Sequence, residues 1–176
     1  KHHFFGYYGI SPWNASGDTL LCMQTDFGQG DIDPGTPAAI CLIDAESGEV
    51  TPITQTTAWN FQQGAMMHWL GKHAEHVITH NDRREGRLVT VVRHVETGEE
   101  RLLPRPVAAL APNGDIAASL NFDRLNETRG GGYGYGGDPE AARIDERAPD
   151  DDGLYIVDVE TGDTKLIVSY ADAIAV

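Results

Sequence analysis

One pattern of apolar and polar residues occurs three times along the chain. Each copy has an apolar run rich in β-branched residues, an acidic residue, Ser or Thr followed by Gly, a second acidic residue and another apolar run. The copies lie at 42–49, 92–99 and 156–163. A glycine that takes up positive φ between two such runs is typical of a tight β-hairpin. The glycines at 48, 98 and 162 indicate a repeat of roughly 45–50 residues, with an insertion in the third copy.

A second turn signal opens each repeat and predicts two further strands beside the hairpin. Pro, Asn and Gly, which fix turns, occur at 12–17 and 112–114, whereas the middle copy at 69–72 is degenerate. Each repeat should therefore hold four strands, since no 3.6-residue period competes over these spans. The predicted strands are 4–10, 19–26, 38–44 and 50–54; 65–69, 76–80, 88–94 and 101–103; and 107–110, 116–121, 154–158 and 164–169.

The net charge excludes some classes of partner, and the cysteine content bears on disulfide bonding. A formal net charge of −14 repels phosphate backbones and anionic lipid surfaces, so nucleic acid and membranes are not expected partners. Cys22 and Cys41 both lie in apolar, strand-like runs. Buried free thiols are favoured there over a bridge, which stays the alternative. We expect the start at Lys1 and the apolar last residues to be cuts from a longer protein, which leaves the compartment open.

Several segments resemble bacterial β-propellers of the TolB-like group, and among them the oligogalacturonate-lyase-like propellers. The segments that carry the resemblance are 3–8 with 11–13, 59–64, 81–83, and 133–135 leading to 151–153. The resemblance implies an all-β fold of four-stranded antiparallel propeller blades, here a partial, open propeller within one domain over 1–176. The blades would span about 3–55, 64–104 and 106–170. The remaining blades of the same propeller would be its partners, since such rings hold about 4–8 blades.

The resemblance also bears on cofactors. Lyases of the oligogalacturonate group hold a metal through histidines and a glutamine in later blades, so a divalent metal is compatible with blades outside this chain. None of those positions matches here. Within the chain, His68 and His80 have no third ligand fixed by spacing, so no metal site is predicted.

Polar and aromatic residues suited to sugar binding fall on one predicted face, in the connections between strands two and three and between blades. Aromatic rings pack on sugar C–H groups, amides pair with hydroxyls, and arginine binds a carboxylate through two hydrogen bonds. An acidic oligo- or polysaccharide is the ligand that this set favours. The alternative for the arginines is an ordinary solvated turn. The predicted ligand-binding residues are Trp59, Asn60, Gln62, Gln63, Asn81, Arg83, Arg124 and Tyr133.

The glycine-rich run at 130–137 lies in a predicted loop of about thirty residues. It lacks the Lys-Ser/Thr ending of a phosphate-binding loop, so a flexible lid that exposes Tyr133 and Tyr135, or plain disorder, is expected instead. A loop of this length without secondary structure is usually functional or disordered.

The predicted catalytic residues are those of a uronate lyase, which removes the proton α to a carboxylate. His80 or His68 would be the base, Arg129 would stabilise the enolate and Tyr135 would be the acid. A structural role for each histidine is the alternative. The function that follows is a carbohydrate-interacting propeller, a candidate polysaccharide lyase acting by β-elimination. The alternative is a non-catalytic propeller module that binds glycan or protein.

Overall fold

Twelve β-strands form three separate four-stranded sheets in the computed structural model, which describes residues 1–28, 30, 32–129 and 132–175. The first sheet contains β1 (His2–Phe4), β2 (Thr19–Thr25), β3 (Ala38–Asp44) and β4 (Val50–Thr56). They pair antiparallel in chain order. The prediction for β3 is confirmed to the residue.

The second sheet has the same order. It contains β5 (His68–Trp69), β6 (Val77–Arg84), β7 (Arg87–His94) and β8 (Glu100–Leu103), with a 3₁₀ turn at Gly71–His73 between the first two strands. Strand β6 is longer than predicted: it continues through residues 81–84, which the sequence had placed in a loop. That loop is only a two-residue turn, and all eight residues of β6 pair with β7.

The third sheet contains β9 (Ala109–Leu110), β10 (Ile116–Ser119), β11 (Gly153–Asp158) and β12 (Thr164–Ser169), again antiparallel in chain order. The insertion between β10 and β11 is not the structureless loop that was predicted. It carries two helices, α1 (Phe122–Arg129) and α2 (Pro139–Ala142), and a third helix, α3, follows β12 at Tyr170–Ile174. None of the described helices is long and apolar enough to cross a membrane.

The three repeated hairpins join the last two strands of each sheet, as predicted. Gly48, Gly98 and Gly162 have φ of 72°, 74° and 80°, a conformation that costs glycine nothing and strains other residues. In the first and third hairpins Asp44 and Asp158 each accept a hydrogen bond from the backbone N–H three residues later. The side chain thus stabilises the turn through a contact within the hairpin itself.

All three observed first strands are shorter than predicted, and β1 shares only Phe4 with the predicted strand at 4–10. In the first two sheets the cause is that the chain turns where the strand should extend. Gly6 and Gly64 have φ of 115° and 59°, and their backbones touch so closely that a Cβ on either would overlap the other segment. Met66 also has a positive φ, 48°. These left-handed positions end the extended chain after Phe4 and delay the start of β5 to His68.

The sheets stack in chain order through two apolar layers. The first layer joins sheets one and two, and the second joins sheets two and three. Alternate residues of several strands supply much of these layers, because successive strand side chains point to opposite faces. Residues of the adjoining connections complete them. The principal buried members of the first are Leu21, Met23, Ile40, Met67, Trp69 and Ile78, and of the second Leu70, Val92, Leu103, Val107, Ala117 and Val157.

The two cysteines are free and buried, as predicted. Cys22 and Cys41 are directly opposite partners across β2 and β3. The hydrogen bond between the two sulfur groups, together with burial, raises the pKa of the Cys22 thiol. Neither cysteine is among the residues that line the cleft described next.

Candidate functional site

A cleft of about 320 Å³ lies where three connections meet. The connections are the one between β2 and β3, the one between β4 and β5, and the glycine-rich segment after α1. Amide, carboxylate and aromatic side chains share its wall with glycine backbone. The side chains that line it include Asp33, Trp59, Asn60, Phe61, Gln62, Asn126 and Tyr135.

The cleft is shaped by two amide side chains that hold the glycine-rich segment in place. Asn60 Nδ2 donates to the carbonyl of Gly134 at 2.8 Å, and Gln63 Oε1 accepts from the Gly134 N–H at 2.8 Å. A Cβ at Gly134, whose φ is 75°, would overlap the carbonyl oxygen of Phe122. Asn60 and Gln63 were predicted to bind sugar through their side-chain amides. In the structure those amides bind Gly134 and so hold the wall of the cleft in place.

Trp59 is 4% exposed and anchors the same wall from inside. Its indole N–H donates to the carbonyl of Thr36 at 2.8 Å, and its ring packs against Phe4 and Phe61 at centroid distances of 5.7 and 5.2 Å. Burial of a large aromatic ring with its one donor satisfied fixes the β4–β5 connection against the β2–β3 connection. The ring of Phe61 is partly exposed and is therefore more accessible than the buried ring of Trp59.

Tyr135 and Asn81 are buried beneath the cleft. Tyr135 is 3% exposed, stacks on Phe122 at 4.8 Å and accepts a hydrogen bond from Asn81 Nδ2 at 3.4 Å. The expectation of a flexible lid with two exposed tyrosines is wrong for Tyr135, because its ring fills the core beneath α1. Desolvation raises the pKa of its phenol. Glycines 130 and 131 of the same run lie outside the described residues.

Two of the predicted arginines are tied to internal partners. Arg83 is bonded to Asp123 at 3.1 Å and also donates to the carbonyls of Tyr135 and Gly136. Burial raises the pKa of the Asp123 carboxyl, and Arg83 opposes that effect. Arg124 is 7% exposed and donates to four backbone carbonyls of the segment 142–147. Arg83 therefore fastens the insertion to β6, whereas Arg124 holds α1 to the later part of the same insertion.

The two candidate bases lie apart from the cleft. His68 is paired with Thr79 across β5 and β6, so it shares a face with Thr79, whereas His80 points to the opposite face. His80 is 0% exposed and burial lowers its pKa; the pKa of His68 is lowered by burial to about 4. Each has a buried Nε2 without a hydrogen-bond partner. The catalytic assignment stays a prediction, which this burial does not favour.

Three predicted residues remain accessible at the rim. Gln62 and Arg129 are exposed and Tyr133 is partly exposed, with the Arg129 guanidinium 5.9 Å from the Tyr133 ring centre. Arg129 lies three residues beyond Asn126 on α1, and residues at this spacing share a helix face. Asn126 lines the cleft, so Arg129 extends the same face outward. The rim therefore holds one amide, one aromatic ring and one cation.

Sequence reasoning missed Asp33, Phe61 and Asn126 as lining residues. Phe61 had a signal, because it lies between the predicted ligand-binding residues Asn60 and Gln62. Asp33 belongs to a connection from the first sheet that had attracted no interest. Asn126 depends on α1, which was not predicted.

No family model matches the chain, and no curated protein matches it. Among solved structures, the chain is similar to the crystal structure of TolB from Acinetobacter baumannii, with a TM-score of 0.52 and 14% identity over 95% of this chain. It is also similar to the AtxE2 isopeptidase in its apo form, with a TM-score of 0.48 and 8% identity over 93% of this chain.

The chain spans about a third of TolB, 32% of its length, and 29% of AtxE2. The likeness to TolB shows a TolB-like, β-rich fold, which confirms the coarser part of the resemblance seen in the sequence. At this identity a shared fold carries no information about ligands or reactions. The narrower resemblance to oligogalacturonate-lyase-like propellers stays a prediction.

Proposed function

We propose that the three sheets are consecutive blades of a β-propeller. Each is a four-stranded antiparallel meander, and they stack in chain order through apolar layers, which is how blades pack around a propeller axis. The outer face of the third sheet supports the same interpretation. Ile116 is 47% exposed and Val168 39% exposed, an apolar surface that a further blade would cover.

The function that the cleft supports best is binding of a glycan without catalysis. At about 320 Å³, the cleft is at the lower end of the roughly 300–1,000 Å³ typical of small-ligand sites. Its wall offers an aromatic ring at Phe61 and amides at Gln62 and Asn126, groups that suit the C–H faces and hydroxyls of a sugar. This combination in one cleft is the observation that carries the proposal.

The ligand we propose is an oligosaccharide with few acidic groups. Arg83 and Arg124 are bonded internally, so Arg129 is the predicted arginine left to meet a carboxylate. One exposed guanidinium at the rim suits a single uronate, with uncharged rings in the cleft beside Phe61. The carboxylate of Asp33 on the wall disfavours a densely acidic polymer through repulsion.

The burial of His80 and Tyr135 supports binding over lyase chemistry. A general base must come within about 2.6–3.2 Å of the proton that it removes. A polysaccharide cannot approach a side chain that is 0% exposed without opening of the sheet. Burial also makes His80 a weaker base, because it lowers the pKa of the imidazolium that forms when the ring takes up a proton.

Titration calorimetry with a panel of neutral and uronate-containing oligosaccharides tests the proposal. Gln62→Ala should weaken binding by about tenfold, since one or two hydrogen bonds are worth roughly 1–2 kcal/mol. Gln55→Ala is the matched control, because Gln55 is also exposed but does not line the cleft. Equal effects of the two variants, or binding to none of the panel, would overturn the proposal. Unsaturated uronate detected by ultraviolet absorbance would favour the lyase instead.

A further inference from the structure

Two histidines and a glutamate meet on the second sheet, at the end that carries the repeated hairpin. The rings of His76 and His94 are stacked, with centroids 5.7 Å apart and an interplanar angle of 5°. His76 Nδ1 lies 3.7 Å from Glu96 Oε1. One donor atom from each of the three residues lies within 4.8 Å of the other two. None of them contributes to the cleft described above.

The position of His76 is occupied by aspartate in the other two sheets. In each sheet the residue before the second strand accepts, through its carbonyl, a hydrogen bond from the residue after the third strand. In the second sheet these are His76 and Val95. The equivalent acceptors and donors are Asp18 with Ala45 and Asp115 with Val159.

His94 replaces aspartate in the same way. Its Nδ1 accepts from the Thr97 N–H at 3.4 Å, the hydrogen bond that a carboxylate makes in the other hairpins. The equivalent bonds run from Ser47 to Asp44 at 2.7 Å and from Thr161 to Asp158 at 2.8 Å. The third member of the cluster is unchanged, because Glu46 and Glu160 occupy the position of Glu96.

The second repeat therefore differs from its neighbours by imidazole for carboxylate at two facing positions. Neither replacement is needed for the turn. The bond at the position of His76 is accepted by the backbone carbonyl whatever the side chain, and at the position of His94 aspartate accepts the same N–H at a shorter distance. Facing imidazoles beside a carboxylate are instead the donor set that zinc and related divalent ions prefer. The repeats thus act as an internal comparison in which the fold is constant and the donor chemistry is not.

We propose that His76, His94 and Glu96 bind a divalent transition-metal ion of the zinc class. Zinc holds imidazole nitrogen at about 2.0–2.1 Å and carboxylate oxygen at about 2.0–2.2 Å. The donor separations here need to contract modestly to reach such a geometry. Two of the three side chains are free to rotate, because those of His76 and Glu96 are 57% and 70% exposed. Three protein ligands leave a coordination position for water or a ligand from a partner.

Zinc chloride titrated into the whole chain by isothermal calorimetry tests the site. The adjacent histidines at 2 and 3 could also bind zinc, so the titrations use a background in which both are alanine. One equivalent of zinc should bind, and His76→Ala or His94→Ala should each lower the affinity at least tenfold. His73→Ala is the matched control, an exposed histidine three residues before His76, and should leave the affinity unchanged.

A double variant, H76D/H94D, separates loss of metal from loss of fold. It restores the residues of the other two repeats, so the turn keeps its acceptor and the thermal midpoint without zinc should stay near that of the parent. Its zinc affinity should still fall at least tenfold. No zinc binding by the parent, an affinity unchanged in the double variant, or an equal loss in the His73 control would each overturn the proposal.

Discussion

The side chain of Asn81 joins the second sheet to the connection that leads to the third, and its removal should destabilise the whole chain. Asn81 is 0% exposed. Its Nδ2 donates to the carbonyl of Val107 at 2.8 Å, and its Oδ1 accepts from the Val107 N–H at 2.7 Å and from the Thr90 hydroxyl at 3.0 Å. Asn81→Ala removes all of these bonds from a site that water does not reach.

The magnitude follows from which groups lose their only partner. The Val107 N–H keeps the Thr90 hydroxyl as an acceptor at 2.9 Å, so it contributes little. The Val107 carbonyl loses the side-chain donor of Asn81 in a buried site, which costs about 1–3 kcal/mol. The truncated side chain also leaves a small void that costs roughly a further 1 kcal/mol. The free energy of unfolding should therefore fall by about 2–4 kcal/mol.

Urea denaturation monitored by tryptophan fluorescence measures this change, with Asn113→Ala as the control. Asn113 is exposed and bonds only within its own turn, to Asp115, so its removal should cost less than about 1 kcal/mol. Asn81→Asp adds an isosteric test, since it keeps the shape but places an acceptor against the Val107 carbonyl. The reasoning is refuted if Asn81→Ala matches the control, or if Asn81→Asp is as stable as the parent.

Three further predictions concern burial and backbone shape. The pKa of His68 is about 4 in the folded chain and about 6.5 in the unfolded chain, so the unfolded state binds more protons between these values. The free energy of unfolding should therefore fall by up to about 3 kcal/mol as the pH falls from about 6.5 to 4. In His68→Gln the difference between the free energies of unfolding measured at pH 7.5 and pH 5 should be smaller. Gly134→Ala should lower the free energy of unfolding by at least about 2 kcal/mol and weaken glycan binding. Gly17→Ala, at φ of 76° with open space around it, should lower the free energy of unfolding by only about 1 kcal/mol. Equal decreases in the two variants would contradict this account. Cys22 and Cys41, 4% and 0% exposed, should resist a thiol reagent in native buffer and react fully in urea; rapid native labelling would contradict their burial.

The hairpins could be predicted from the sequence because their causes are local. A glycine in the left-handed region and an aspartate side chain that accepts a backbone N–H within the same turn are both visible in a few residues. Gly48 and Asp44 show both features. The same local pattern identified the repeat. The repeat in turn predicted the order of strands in each sheet without any knowledge of long-range contacts.

The surroundings of the candidate site could not be predicted, because their causes are distant in sequence. Residues 81–84 are polar and charged, so they were placed in a loop, yet they continue β6. The buried side chain of Asn81 is hydrogen-bonded to Val107, 26 residues away, and Arg83 is hydrogen-bonded to Asp123, 40 residues away. A polar residue is tolerated in a buried strand only when such partners are present. Their identity is fixed by the assembled sheets rather than by any local pattern.

Helix α1 is a different kind of omission, because a local signal was available. Asn121 precedes it and accepts the Arg124 N–H at 2.9 Å, the role of an N-cap side chain. Asp123 in the first turn and Arg129 in the last complement the helix dipole. The glycines that follow made the whole insertion resemble a loop, although a glycine after a basic residue is also how helices commonly end.

Repeats offer a way to separate structural from functional residues in a single sequence. Residues that recur at equivalent positions, such as Gly48, Gly98 and Gly162, are explained by the turn that they share, because each has a positive φ. Residues that differ between repeats, although the backbone hydrogen bonds of the turn are kept, need another explanation. His76 and His94 both differ from the aspartates of the other two repeats, and their rings stack on each other. The stacking of His94 on His76 is visible only in the structure. Two replacements that face each other supply a donor set that neither supplies alone.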